Sequence, residues 1–211
     1  MTDEQRLFPP IPLFLAHAPQ TVRGDWKWLW HLDQRLVRLA SEPSEPMLAQ
    51  IRLAWWRDQL SGAGKMQERR DPALVRLDAM APDRRDVLEK AALRLVDAME
   101  AMKVEEAPLP LAGAEARGVA LASAYTALAG LTSEQAGAIG SYWGLAQLAP
   151  AMAQETEFLD RALMLAADCP QRLPRALSLM RRHADLLISA GGRPLGRRAG
   201  LSLAWHGLTG L

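Results

Sequence analysis

Arginine supplies the most suggestive chemistry in this chain. In residues 46–60, PMLAQIRLAWWRDQL, Arg52 and Arg57 bracket the adjacent pair Trp55 and Trp56. A guanidinium grips a phosphate or a carboxylate through two parallel hydrogen bonds, so either arginine could face an anion or a carboxylate on a neighbouring helix. Trp56 would then be a contact ring beside them. The competing reading makes both indoles core filler, each with a large apolar area and an N–H that needs a partner. A second adjacent pair, Arg181 and Arg182, stands in the basic C-terminal part of the chain. Arg52, Trp56, Arg57, Arg181 and Arg182 are therefore the candidate contacts for a partner or an anion.

Other reactive groups are sparse. His17, His31, His183 and His206 form no pair at helical metal-ligating spacing and are expected at surface or capping positions. No serine sits in a G-x-S-x-G setting and no G-x-x-x-x-G-K-[ST] phosphate loop occurs. Gly191 and Gly192 before Arg193 fit a helix C-terminus followed by a turn better than an anion site.

The elements that must position these groups are helices. Apolar residues recur at helical spacing, and period-2 alternation with β-branched residues is not sustained. The expected fold is all-α, a single-domain bundle of about eight helices. A proline-rich lead, residues 1–21, precedes the helical domain, residues 22–211. Helices are expected near 22–40, 46–61, 83–103, 112–130, 132–153, 155–168 and 172–190 and at the C-terminal end, with a short one near 71–80. Ser44 before Pro46 reads as an N-cap, KMQERRDP as an exposed connection and EEAPLP as a loop. In the second helix Met47, Leu48, Ile51, Ala54, Trp55 and Leu60 are the expected buried stripe. Trp26, Trp28 and Trp30 span a wide arc, so at least one ring is expected to meet solvent, lipid or another subunit. Gly118, Gly137, Gly140 and Gly144 lie inside helices, where each costs about 1 kcal/mol relative to Ala. Close backbone packing, or the wall of a narrow apolar cavity, must compensate.

Composition narrows the classes. The 211 residues, 49% of them hydrophobic, can close one sizeable core. Lys plus Arg is 25 against 24 for Asp plus Glu, which disfavours a dedicated nucleic-acid binder. One cysteine, Cys169, permits no intramolecular disulfide and suits a reducing, cytoplasmic setting. Pro9, Pro10 and Pro12 interrupt the N-terminal apolar run before it reaches signal length, and no run approaches the roughly 20 apolar residues of a membrane span.

From about residue 22 to 209 the chain resembles the squalene/phytoene synthase family. The likeness rests on IRLAWWRDQL after a Trp-rich helix, on LAGAEARGVALASAYTALAG with AGAIGSYWGLAQLAP, and on RALSLMRRHADLLISAGGRP. It implies an isoprenoid synthase fold around a central cavity. Working members hold Mg²⁺ and diphosphate between aspartate-rich motifs, since Mg²⁺ requires hard oxygen ligands and residues four apart share a helix face. None of the 24 acidic residues here has another four positions later. The first motif falls on Val37 to Ser41, or one turn earlier on Asp33, Gln34 and Val37. The second falls on Gly144, Gln147, Pro150, Ala151 and Glu155, where Glu155 is a weak metal-ligand relic. The expectation is a non-catalytic member with no cofactor, acting as a binding or assembly factor for another protein, as do members that assemble a respiratory membrane complex. The alternative is a head-to-head prenyl transferase using Mg²⁺. An isoprenoid or other apolar ligand in the cavity is a further implied partner.

From Pro170 onward seven arginines face one acid, Asp185. Such a surplus sums into a local positive potential, and weak contact with an anionic membrane surface, peripheral to the inner membrane, is the expected consequence.

Overall fold

Proline and aspartate set where several helices begin. In the computed structural model, which describes residues 9–41, 46–62, 71–102, 110–132 and 134–209, Asp71 caps a helix by accepting from the Ala73 N–H at 2.9 Å, with Pro72 in the first turn. Pro82 opens the next helix with Asp83 at its positive end. The described residues are all-helical, with no strand, in the order α1 (Ile11–Ala16), α2 (Gln20–Ser41), α3 (Pro46–Leu60), α4 (Pro72–Asp78), α5 (Pro82–Ala101), α6 (Leu111–Leu128), α7 (Glu134–Ala146), α8 (Ala149–Met152), α9 (Thr156–Asp168), α10 (Arg175–Ala190) and α11 (Arg197–Thr209). Among the described residues eleven helices stand where about eight were expected. The surplus comes from prolines that start helices rather than stop them: Pro12 lies in the first turn of α1, within the proline-rich lead, and Pro150 in that of α8. The Ser44 cap, most of the KMQERRDP connection and most of the EEAPLP loop lie outside the described residues.

The centre is the α6–α7 pair. Its register is visible in the glycines: a Cβ on Gly140 would meet the Gly118 carbonyl at 2.6 Å, and Gly144 abuts the backbone of Ala114. The pairings 118 with 140 and 114 with 144 run in opposite senses, so the two helices are antiparallel. Close packing, rather than a cavity wall, compensates for these three glycines. Gly137 has nothing within 4 Å of such a Cβ and is not explained this way. Around the pair, α5 packs on α6, α2 on α5 and α6, α10 and α9 on α7, and α1 and α11 on α10. No helix among the described residues is long and apolar enough to cross a membrane.

Two expectations about burial are corrected. Trp26, Trp28 and Trp30 are all buried, because α2 is covered on two sides. Trp28 donates to the Ala73 carbonyl near α4 and Trp26 to the Leu121 carbonyl of α6, each at 3.0 Å. The stripe of α3 is also reversed, except at Leu60, which is buried as expected. Ala49, Leu53, Trp56 and Leu60 face the core, while Met47 and Ile51 are 73% and 57% exposed and Trp55 and Leu48 stand out beside them. Both faces of α3 are apolar, so periodicity carried almost no preference. Tertiary partners decide it: Arg35 of α2 lies 5.1 Å from the Trp56 ring centroid, and Arg57 reaches Asp97 and Glu100 of α5.

Candidate functional site

Asp33 is the lone acid on the apolar face of α2, and it is fully buried. A carboxylate there must be paired, because desolvating an isolated charge costs many kcal/mol. Its partner is Arg117 of α6, whose Nε and Nη2 donate to Oδ1 and Oδ2, both at 2.7 Å. Burial works against the charge on Arg117, but the attraction and hydrogen bonds of Asp33 outweigh it and hold the guanidinium above its ordinary range. The same guanidinium lies 5.4 Å from the ring centroid of Trp143 on α7, a cation–π contact. Arg117 precedes Gly118, where the α6 and α7 backbones meet, and its contacts join α6 to α2 and α7.

Trp143 passes the network on. Its Nε1 donates to Nδ1 of His183 on α10 at 3.2 Å, which requires that nitrogen to be unprotonated. Burial pushes His183 down to about 4, so the imidazole is neutral around pH 7. His183 is thus a core residue, neither at the surface nor a cap as expected. Its partner indole, invisible to local sequence spacing, is what satisfies it. Nearby, Tyr142 donates to Asp185 at 2.9 Å, and burial followed by the Asp185 charge raises its phenol well above the usual value. Burial likewise pushes the Cys169 thiol up to about 11, which makes it a poor nucleophile.

A cavity of about 100 Å³ opens beside the ion pair. Gln34 and Val37 of α2, Arg117 of α6, and Trp143 and Gln147 of α7 line it, with Pro9 to Ile11 closing one side. It is well below the roughly 300 Å³ at which small-molecule pockets begin. The Gln34 amide nitrogen and the Trp30 indole nitrogen are buried without a hydrogen-bond partner. Each such orphan costs about 1–3 kcal/mol, so both are polar handles turned inward at a loss to stability. Trp30 also packs edge-on against Trp143, with ring centroids 5.3 Å apart. The arrangement can fix one guanidinium against a buried carboxylate and offer the Gln34 amide nitrogen to something small and polar. Among the described residues no three His, Cys, Asp or Glu side chains converge.

The residues singled out from the sequence lie elsewhere. Trp56 is 1% exposed and belongs to the core, so it offers no contact surface. Arg57 donates to Asp97 at 2.7 Å and Glu100 at 2.5 Å, the neighbouring-helix carboxylates that its chemistry allowed. Arg52 is exposed on α3. Arg181 donates to the Pro170 carbonyl at 2.9 Å just past the end of α9, and Arg182 to the Ser202 hydroxyl of α11 at 3.0 Å. Glu155 is exposed at the N-terminal boundary of α9 and its side chain makes no cap bond. Arg117 was missed. Its signal was a lone arginine in an Ala/Gly-rich helix, complementary to the lone acid at Asp33.

Comparison of the chain with family models, curated proteins and solved structures gives no match. The functional reading rests on this geometry.

Proposed function

We propose that this protein works by binding rather than by catalysis, as a non-catalytic relative of the squalene/phytoene synthases that serves as an assembly factor for a membrane-associated protein complex. The observation that carries the reading is the Asp33–Arg117 pair. Prenyl diphosphate ionisation needs several carboxylates free to hold Mg²⁺ against a leaving diphosphate. Of the positions where the resemblance puts those ligands, Val37 of the first motif, Gln34 of its placement one turn earlier and Gln147 of the second line one small cavity, whereas Pro150, Ala151 and Glu155 are not part of its wall. Asp33, the acid of the earlier placement, has both oxygens engaged by an arginine, and Glu155, the acid of the second motif, is exposed at the start of α9. The exposed apolar ridge of α3, formed by Met47, Leu48, Ile51 and Trp55, supports a role in contacting another protein, since a contiguous patch of this kind marks interaction surfaces.

Incubating the purified chain with farnesyl or geranylgeranyl diphosphate and Mg²⁺ tests the reading. The expected result is unchanged substrate. A condensed hydrocarbon product whose formation stops on chelation of the metal would overturn it and install the prenyl transferase alternative.

A further inference from the structure

Helix α11 is seated by one face and bare on the other. Leu203 and Gly207 are buried, and a Cβ on Gly207 would meet His17 Nε2 at 2.7 Å. Ser178 of α10 bonds the His206 ring at 2.6 Å, and Arg182 holds Ser202. On the opposite side Leu201, Trp205 and Leu208 are 70%, 63% and 77% exposed. At 3.6 residues per turn these three positions fall within an arc of about 60°. Arg197 and Arg198 are exposed one turn earlier on the same side. No acid occurs between residues 186 and 209, and Asp185 is engaged by Tyr142.

We infer that α11 is an interfacial membrane helix, which lays Leu201, Trp205 and Leu208 into the headgroup boundary of an anionic phospholipid bilayer while Arg197 and Arg198 pair with the phosphates. Charge complementarity names the occupant. A single narrow apolar ridge flanked by cations and free of acids is the pattern of a helix lying in a lipid interface, and an indole on the ridge suits the boundary between headgroups and chains. The α3 ridge differs, because Arg52 and Asp58 give it both signs of charge. The inference does not rest on the proposed function, since a bilayer contact serves an enzyme or a binding protein equally.

Flotation of the full chain with vesicles tests it. Phosphatidylcholine vesicles containing phosphatidylglycerol should carry the protein, vesicles of phosphatidylcholine alone should carry little, and added salt should release it. Replacing both Leu201→Ser and Leu208→Ser should weaken partitioning roughly tenfold or more. Arg197→Ala and Arg198→Ala should each weaken it roughly fivefold. All four side chains are exposed, so circular dichroism should show the fold intact. Failure to float with anionic vesicles overturns the inference, as does flotation of the serine variant equal to that of the parent. Self-association without flotation, abolished by the same serines, would give the ridge to a second copy and overturn it equally.

Discussion

Replacing Arg117→Met strands a carboxylate. Asp33 has no solvent exposure, and both of its oxygens are bonded to Arg117. Removing one partner of a buried pair costs about 3–5 kcal/mol, because the remaining charge keeps its desolvation penalty without its attraction. The lost contact to the Trp143 ring adds roughly 0.5–2 kcal/mol. Against a total stability of about 5–15 kcal/mol for a domain, this is a large fraction. With a urea slope near the upper end of about 1–3 kcal/mol per molar, the unfolding midpoint should fall by roughly 1–2 M.

The controls separate charge from shape. Adding Asp33→Asn to Arg117→Met removes the stranded charge and should restore a good part of the loss. Adding Asp33→Leu instead should restore most of it, since replacing both members of a buried pair with apolar groups is often neutral or stabilising by about 1–4 kcal/mol. Urea titrations followed by circular dichroism supply the double-mutant cycle. A single Arg117→Met variant that loses less than about 1 kcal/mol would refute the picture of a dry, mutually dependent pair. So would an Asp33→Leu, Arg117→Met chain as unstable as the single variant.

Two further outcomes follow from the packing and the buried histidine. Gly144→Ala puts a methyl against the Ala114 backbone and should cost about 1–3 kcal/mol in thermal or urea unfolding, whereas Gly137→Ala meets open space and should gain about 0.5–1 kcal/mol. His183 is depressed from 6.5 to about 4, so below 6.5 the unfolded chain binds the proton first. Its contribution, about 3 kcal/mol, is therefore fully present above pH 6.5 and is lost progressively as the pH falls toward 4. His183→Asn keeps an acceptor for Trp143 without that titration, and its stability should change less with pH over this window than the parent's.

The helices were legible because their signals are local. The Gly118, Gly140 and Gly144 set advertises a close crossing without naming its register, whereas the Asp71 cap and Pro72 start were read only as the end of the KMQERRDP connection. Burial on α3 was not legible, since Ala49–Leu53–Trp56–Leu60 and Met47–Ile51–Trp55 are equally apolar and nothing local ranks them. The choice is made by Arg35 above Trp56 and by the α5 carboxylates at Arg57, partners that lie far along the chain. The same holds for α2, where Trp26 meets α6, Trp28 meets α4 and Trp30 meets Trp143 of α7.

The central site was half legible, and the missing half explains the choice of candidates. Scanning for acid pairs four apart tests one helix at a time, and it correctly finds none. The decisive pair joins residues 84 positions apart, where sequence offers only a lone acid on an apolar face and a lone base on a small-residue face. Two such misfits within one bundle should be read together: each charge is affordable in the core only if the other neutralises it. The arginines named first, at 52, 57, 181 and 182, were named as contacts for a partner or an anion, and none of them lines the central cavity. Arg117 is the one base of an Ala/Gly-rich helix whose acid, Glu115, is taken by Arg161, and so a lone base on a small-residue face is a better pointer to a buried polar site than a charged cluster.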